Sequence, residues 1–204
     1  MPREIGFFFM GMLCFYIMMI CLGVGPLISI LGAICFAFTT NNLILLSAGH
    51  TTKVLTLMTS PLVIAGVYVS YKNKYLLGLV LFALGMSLNL KSSHPQMTYY
   101  LGLVLLPYII LKVKDSIKAK EYIPFIKSSM YLLVGLMLAI GASMSKLWPT
   151  YEYSKDTMRG KPILENTQSD FSSSSVDGLS WDYAMRWSNG WEDLLQSFIS
   201  HAVG

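Results

Sequence analysis

The chain has 204 residues, of which 54% are hydrophobic and 13% are charged, and its formal net charge is +4 at pH 7. Soluble globular proteins carry about 25% charged residues, so this composition favours an integral membrane protein over a soluble domain. The basic residues concentrate in one loop beside an apolar run, which excludes the extended basic surface of a nucleic-acid-binding protein. The three cysteines lie within apolar runs without Cys-x-x-Cys spacing, so neither a disulfide framework nor a zinc site is indicated.

Six apolar runs predict an all-α, polytopic bundle of about six transmembrane helices over residues 1–146. A helix of about 20 apolar residues crosses a bilayer, and these runs are apolar on all sides rather than on one face. The runs cover residues 5–22, 27 to 39 or 46, 54–71, 75–90, 97–111 and 130–144.

The second run is the doubtful crossing. If it ended at Thr39 it would be too short to cross directly, so we expect either a bend at residues 39–42 or a partly re-entrant segment. In the third run, Pro61 is expected to kink the helix, because proline removes a backbone hydrogen bond. The other five runs are predicted to cross.

The distribution of lysine predicts the orientation of the chain in the membrane. The loop from residue 112 to 127 is rich in lysine and is therefore assigned to the cytoplasm, together with Lys72 and Lys74. Residues 50–53, residues 91–96 and everything after Lys146 then lie on the outer side. The loop lysines are Lys112, Lys114, Lys118, Lys120 and Lys127.

Residues 147–204 have a different composition and are predicted to form an extracytoplasmic segment of short amphipathic helices. Ser180 is a candidate helix cap, and tryptophans follow at Trp181, Trp187 and Trp191. Tryptophan favours the membrane–water boundary, so these helices are expected to lie along the outer surface of the bilayer. Packing of the aromatic rings onto the outer loops is the alternative.

Three polar clusters fall on the predicted outer side and contain the candidate binding residues. Lysine and arginine at a membrane surface can bind phosphate, and Glu152 could accept a proton from a hydroxyl. Membrane anchoring and a solvated, charge-balanced loop are the structural alternatives. Two histidines are too few to indicate a metal site. The candidate binding residues are His50, Lys53, His94, Gln96, Tyr151, Lys155, Arg159 and Lys161.

Four motifs resemble those of the YfhO-like bacterial membrane proteins. They are Ser-Ala-Gly-His-Thr-Thr-Lys at 47–53, His-Pro-Gln-Met-Thr-Tyr-Tyr at 94–100, Thr-Tyr-Glu-Tyr-Ser-Lys at 150–155 with Arg-Gly-Lys at 159–161, and Gly-Leu-Ser-Trp-Asp-Tyr-Ala at 178–184 with Trp-Ser at 187–188. The similarity extends from about residue 25 onward. Departures from the family pattern occur at residues 162–163, at Asn189 and near residues 200–201.

The resemblance implies a glycosyltransferase of the GT-C fold, which takes a sugar from a polyprenyl-phosphate carrier at the outer face of the membrane. It implies no cofactor. The partners that it implies are membrane lipids and the rest of a longer protein. In that fold the base is commonly an acidic residue of the first outer loop, which would lie upstream of Met1. Within this chain, Glu152 or Asp182 would be the acid/base, and Lys53, Arg159 and His94 would stabilise the departing phosphate.

Two other functions are compatible with the sequence. A transporter or flippase of a lipid-linked or envelope polymer would need polar residues such as Asn89 or Thr39 facing inward. No Asp, Glu, His, Lys or Arg lies in the middle of a predicted span, which weakens that alternative. A non-catalytic membrane scaffold would lack a cleft between His50, His94 and Arg159.

Overall fold

The computed structural model describes residues 3–154 together with Trp181 and Met185, and every regular element in that part of the chain is an α-helix. The all-α prediction is therefore confirmed for these residues. The helices are α1 (Arg3–Cys21), α2 (Pro26–Ala37), α3 (Thr40–Ser47), α4 (Thr51–Ser70), α5 (Tyr75–Lys91), α6 (Pro95–Ala119) and α7 (Tyr122–Ser154).

The chain divides into two units, residues 1–147 and 148–204. The first unit contains α1 to α6 and most of α7. In the second unit the structure describes the last turns of α7 and two further helical residues, Trp181 and Met185, whose side chains are exposed.

Four segments are long and apolar enough to cross a membrane: Pro26–Ser47, Thr51–Ser70, Pro95–Ala119 and Tyr122–Tyr153. Two further apolar helices, Ile5–Cys21 and Tyr75–Lys91, are shorter. The protein is therefore a membrane protein by the length and composition of its helices.

The second apolar run is divided into two helices where a bend or a re-entrant segment is expected, because α2 ends at Ala37 and α3 begins at Thr40. Side chains satisfy the carbonyl groups released at this break. The Thr39 hydroxyl donates to Cys35 O and Phe36 O, each at 2.9 Å, and Asn42 Nδ2 donates to Phe36 O at 2.9 Å. The two helices together form a 22-residue segment, which has the length of a complete crossing.

The prediction of a loop from residue 112 to residue 127 is wrong. Helix α6 continues to Ala119 and α7 begins at Tyr122, so only Lys120 and Glu121 connect them. Lysine, alanine and isoleucine support a helix after its apolar part has ended. The turn is closed by Lys120, whose φ of 56° places it in the left-handed region typical of a helix C-terminus.

Helix α4 is the central helix of the first unit, and glycines allow α5 to pack closely against it. Small residues at such contacts let membrane helices approach until their backbones meet. A Cβ atom at Gly66 would lie 2.6 Å from Phe82 Cα, one at Gly78 would lie 2.7 Å from Ser70 Cα, and one at Gly85 would lie 2.8 Å from Val63 N. The separation of α4 and α5 is therefore set by these glycines.

Serine hydroxyls join α7 to α4 and α5. Ser128 Oγ donates to Ser70 O at 2.8 Å, and Ser70 Oγ donates in return to Ser128 O at 3.3 Å. Further along, Ser143 Oγ donates to Ser87 O at 3.3 Å. Inter-helical hydrogen bonds of this kind hold helices together where the hydrophobic effect contributes little.

These contacts define two ends of the helix bundle. The His50 end contains residues 47–53 and 91–97, and Lys146 joins it because its Nζ donates to Lys91 O at 2.6 Å. The Lys74 end contains residues 71–75 and 112–127, where the rings of Tyr71 and Phe125 stack with centroids 5.5 Å apart.

Candidate functional site

The His50 end contains two histidines that are far apart in sequence. His50 is the N-cap residue of α4 and His94 is the N-cap residue of α6. The hydroxyls of Thr56 and Ser92 are hydrogen-bonded, which ties the first turns of α4 to the end of α5. Thr56 lies one turn after Lys53, and Ser92 lies two residues before His94, so the motifs at 47–53 and 94–100 lie at the same end of the bundle.

A buried polar network holds this arrangement from inside the bundle. Asn89 is completely buried, and its Nδ2 donates to Thr56 O at 3.0 Å and to Thr59 Oγ1 at 3.3 Å. Its Oδ1 accepts a hydrogen bond of 2.7 Å from Thr98 Oγ1. One side chain on α5 therefore links α4 and α6, and a buried amide must be satisfied in this way to avoid a large desolvation cost.

The turn that carries His94 is fixed by the same network. Ser92 Oγ donates to Asn89 O, and Ser93 has a φ of 60°, in the left-handed region that a serine rarely adopts. Within the described part of the chain, the Nδ1 atom of His94 is buried without a hydrogen-bond partner. A buried ring nitrogen of this kind is available to a ligand or an ordered water.

Charged and polar side chains also occur at the His50 end. Lys53 is half-buried in the first turn of α4, and Lys91 is exposed at the end of α5. Gln96 is exposed and donates from Nε2 to Tyr100 Oη at 2.8 Å. The end thus presents cations and imidazoles together, an arrangement that can bind an anion such as a phosphate.

The predicted residues from the third motif lie in the second unit. Tyr151 and Glu152 belong to the last turn of α7, and both side chains are exposed. Lys155, Arg159 and Lys161 lie outside the described residues, as does Asp182. The first two motifs therefore lie in the first unit, and the described part of the third motif lies in the second unit.

Sequence patterns missed the roles of two residues at the His50 end. Asn89 anchors the α5–α6 turn, and Lys146 donates to the carbonyl oxygen of Lys91. An asparagine within an apolar run is a signal for such a network, since an amide needs partners inside a membrane. In the described ranges, no group of three His, Cys, Asp or Glu side chains is arranged to hold a metal ion.

An apolar groove lies between α6 and α7, with α4 and α5 forming its floor. Its volume is about 320 Å³. It extends along α6 from Thr98, one turn from His94, to Ile109. The residues lining this α6–α7 groove are Val63, Val67, Tyr71, Phe82, Met86, Thr98, Leu101, Gly102, Leu105, Ile109, Ser129, Leu132, Leu133 and Leu136.

Comparisons with known proteins do not place the chain in a family. The YfhO-like resemblance depends on the four motifs in the sequence, of which the structure describes the first two as one end of the bundle. No protein-family model matches the chain, and no curated protein or solved structure is similar to it.

Proposed function

We propose that this chain is part of a membrane-embedded glycosyltransferase that uses a polyprenyl-phosphate-linked sugar at the outer face of the cytoplasmic membrane. The observation that carries the proposal is that His50, Lys53, Lys91 and His94 all lie at one end of an apolar helix bundle. A lipid-linked sugar phosphate is an anion presented at the membrane surface, and this end offers it cations and N–H donors.

The proposed topology has six crossings with the His50 end outside. The opposite, Lys74 end contains most of the basic residues of the first unit, which favours a cytoplasmic location for it. Residues 147–204, which begin in the last turns of α7, are assigned to the outer side in this arrangement and contribute the remaining motifs. The lysines of the Lys74 end are Lys72, Lys74, Lys112, Lys114, Lys118, Lys120 and Lys127.

The proposed reaction is a displacement at the anomeric carbon of the sugar. An acceptor hydroxyl attacks this carbon, its proton passes to a carboxylate, and the bond between the anomeric carbon and the phosphate oxygen breaks. Glu152 and Asp182 are the carboxylates of this chain that we assign as candidates. Lys53, His94 and Arg159 stabilise the negative charge that develops on the departing phosphate.

The packing around Asn89 favours this function over a polar transport path. Asn89 faces inward, as a transporter would require, but its amide is occupied by Thr56, Thr59 and Thr98. Thr39, the other candidate lining residue, is exposed, and its hydroxyl donates to carbonyl oxygens of α2. The hydrogen-bonding groups of both side chains are therefore occupied by other atoms of this chain.

The topology predicts opposite accessibility for cysteines placed at the two ends. In a variant with Cys14, Cys21 and Cys35 replaced by alanine, we expect Ser93→Cys to react with a membrane-impermeant maleimide in intact cells. We expect Asn73→Cys to react only after the cells are opened. Labelling of both positions from one side would contradict the proposed crossings.

Loss of Lys53 or of Arg159 is expected to reduce sugar transfer. In the complete protein, Lys53→Ala and Arg159→Ala should each lower the rate of transfer from a polyprenyl-phosphate sugar by roughly 100-fold. Each variant lacks a positive charge that stabilises the negative charge on the departing phosphate. Lys74→Ala, at the opposite end, serves as the control and should leave the rate unchanged. Wild-type rates for both Lys53→Ala and Arg159→Ala would contradict the assigned roles.

A further inference from the structure

We infer that a cavity at the Lys74 end of the bundle binds a lipid head group that carries both a primary ammonium and a phosphate, that of phosphatidylethanolamine. This turn cavity lies between the end of α6, the start of α7 and the turn after α4, and its volume is about 190 Å³. The inference goes beyond the proposed function, since the site lies at the end opposite to His50. The lining residues that carry the argument are Tyr71, Lys112, Asp115, Ser116, Glu121 and Phe125.

Both signs of charge line the turn cavity, which distinguishes it from the lysine-rich surface around it. Lys112 supplies a cation, Asp115 and Glu121 supply carboxylates, and Lys112 Nζ lies 3.4 Å from Asp115 Oδ2. An ammonium has three N–H donors and a carboxylate can accept several hydrogen bonds, so each partner of this ion pair can also bind a ligand. A ligand with a phosphate and an ammonium complements the pair, whereas an anion without an ammonium is repelled by the two carboxylates.

Contacts within the chain hold these charged groups in position. Lys112 Nζ lies over the ring of Tyr108, 5.6 Å from its centroid, and is therefore held between this ring and Asp115. The backbone of Glu121 is bonded to the last turn of α6, because Glu121 N donates to Ser116 O at 3.1 Å and Ser116 Oγ donates to Glu121 O at 2.8 Å. A site that is ordered in advance loses less conformational entropy when a ligand binds.

The size and the aromatic wall of the turn cavity suit a small ammonium group. Tyr71 and Phe125 both line it, and their rings stack with centroids 5.5 Å apart. Aromatic rings attract cations, and a primary ammonium can also donate N–H hydrogen bonds to Asp115 and Glu121, which a trimethylated ammonium cannot do. A volume of 190 Å³ has room for about six groups the size of a water molecule, at about 30 Å³ each, which matches an ethanolamine phosphate rather than a sugar or a nucleotide.

Apolar side chains beside the turn cavity indicate that it lies at the boundary between hydrocarbon and water. Ile117, Tyr122 and Ile123 flank the turn between α6 and α7, and at least half of each side chain is exposed. Lys118 and Lys120 are exposed in the same turn. Aliphatic and tyrosine side chains next to lysines are typical of the membrane–water interface, where lipid head groups lie. The ammonium and the phosphate are therefore assigned to a lipid rather than to a soluble molecule.

A comparison of three phospholipids with identical acyl chains tests the inference. Binding of phosphatidylethanolamine, phosphatidylcholine and phosphatidylglycerol to the purified chain in detergent is measured by native mass spectrometry, and free phosphoethanolamine is measured beside them. Asp115→Asn combined with Glu121→Gln removes both carboxylates at nearly constant side-chain size. Lys112→Gln and Lys114→Gln form a matched pair, because both lysines lie on α6 and Lys114 does not line the turn cavity.

We expect the wild type to bind phosphatidylethanolamine about fivefold or more tightly than the other two lipids, because only this head group donates N–H hydrogen bonds to the carboxylates. The double variant at Asp115 and Glu121 should lose this preference without weaker binding of phosphatidylglycerol. Lys112→Gln should weaken binding of phosphatidylethanolamine by about fivefold, and Lys114→Gln should leave it unchanged. Asp115 is largely exposed, so its ion pair with Lys112 contributes little to folding and the melting temperature of the variants should change little.

Four outcomes would overturn the inference. Equal binding of the three lipids by the wild type would show a basic surface without recognition of the ammonium, and an unchanged preference in the double variant would place that recognition elsewhere. Equal effects of Lys112→Gln and Lys114→Gln would assign the binding to the charge of the whole Lys74 end. Binding of free phosphoethanolamine as tight as that of the lipid would make the ligand a soluble one. The sugar-transfer test on Lys53 and Arg159 is independent of all four, so either proposal can fail alone.

Discussion

Gly66→Ala is expected to lower the free energy of unfolding by about 2–3 kcal/mol, because it adds an atom where two helix backbones meet. The new Cβ would lie 2.6 Å from Phe82 Cα and 2.7 Å from Phe82 Cβ, and it would also press on the backbone nitrogen of Phe82. Backbone atoms cannot rotate away, so α4 and α5 must separate. Unfolding by SDS in mixed micelles, followed by circular dichroism, measures the change.

Two other glycines provide matched controls for the same substitution. Gly102→Ala should stabilise the protein by about 0.5–1 kcal/mol, because the site is open and alanine favours a helix more than glycine does. Gly11→Ala should cost less than Gly66→Ala, because it meets the flexible side chain of Met58 rather than a backbone.

A double variant tests whether the backbone of Phe82, rather than its ring, causes the loss of stability in Gly66→Ala. Because the overlap at Gly66 involves backbone atoms of Phe82, adding Phe82→Ala to Gly66→Ala should not restore stability. A double variant as stable as Phe82→Ala alone would show that the ring, rather than the backbone, limits the approach of the helices. Equal effects of Gly66→Ala and Gly102→Ala would contradict the close packing of α4 and α5.

The existence of the helices follows from the sequence, whereas several of their ends do not. Long apolar runs must satisfy their backbone groups internally inside a bilayer, so a helix is the expected structure. The end of α6 at Ala119 was missed because the helix outlasts its apolar part, and its polar last turns can donate and accept hydrogen bonds in water. The start of α7 at Tyr122 was missed for the same reason.

The meeting of the histidine motifs at one end could be predicted from the alternation of crossings, since His50 and His94 are separated by two apolar helices. The Asn89 network could not, because the rotation of each helix about its axis decides which polar side chains face one another. Thr56 faces Ser92 only for one rotation of α4 against α5, and that rotation is set by the glycine contacts.

Asn89→Leu is expected to lower the free energy of unfolding by about 2 kcal/mol, although leucine has a similar size and is more apolar. The substitution removes the hydrogen bonds to Thr56 O, to Thr59 Oγ1 and from Thr98 Oγ1, and with them the polar links from α5 to α4 and α6. Unfolding by SDS again measures the loss. Hydrogen exchange of residues 91–97 should rise, because the α5–α6 turn loses its anchor.

Ser87→Ala on the same helix is the matched control for Asn89→Leu. The Ser87 hydroxyl donates to Ala83 O within α5, at 2.7 Å, so its removal breaks no side-chain link between helices. We therefore expect Ser87→Ala to change stability by less than about 0.5 kcal/mol and to leave hydrogen exchange of the turn unchanged. If Asn89→Leu behaved like Ser87→Ala, the network would not position His94, and packing of α4 against α5 would suffice to form the His50 end.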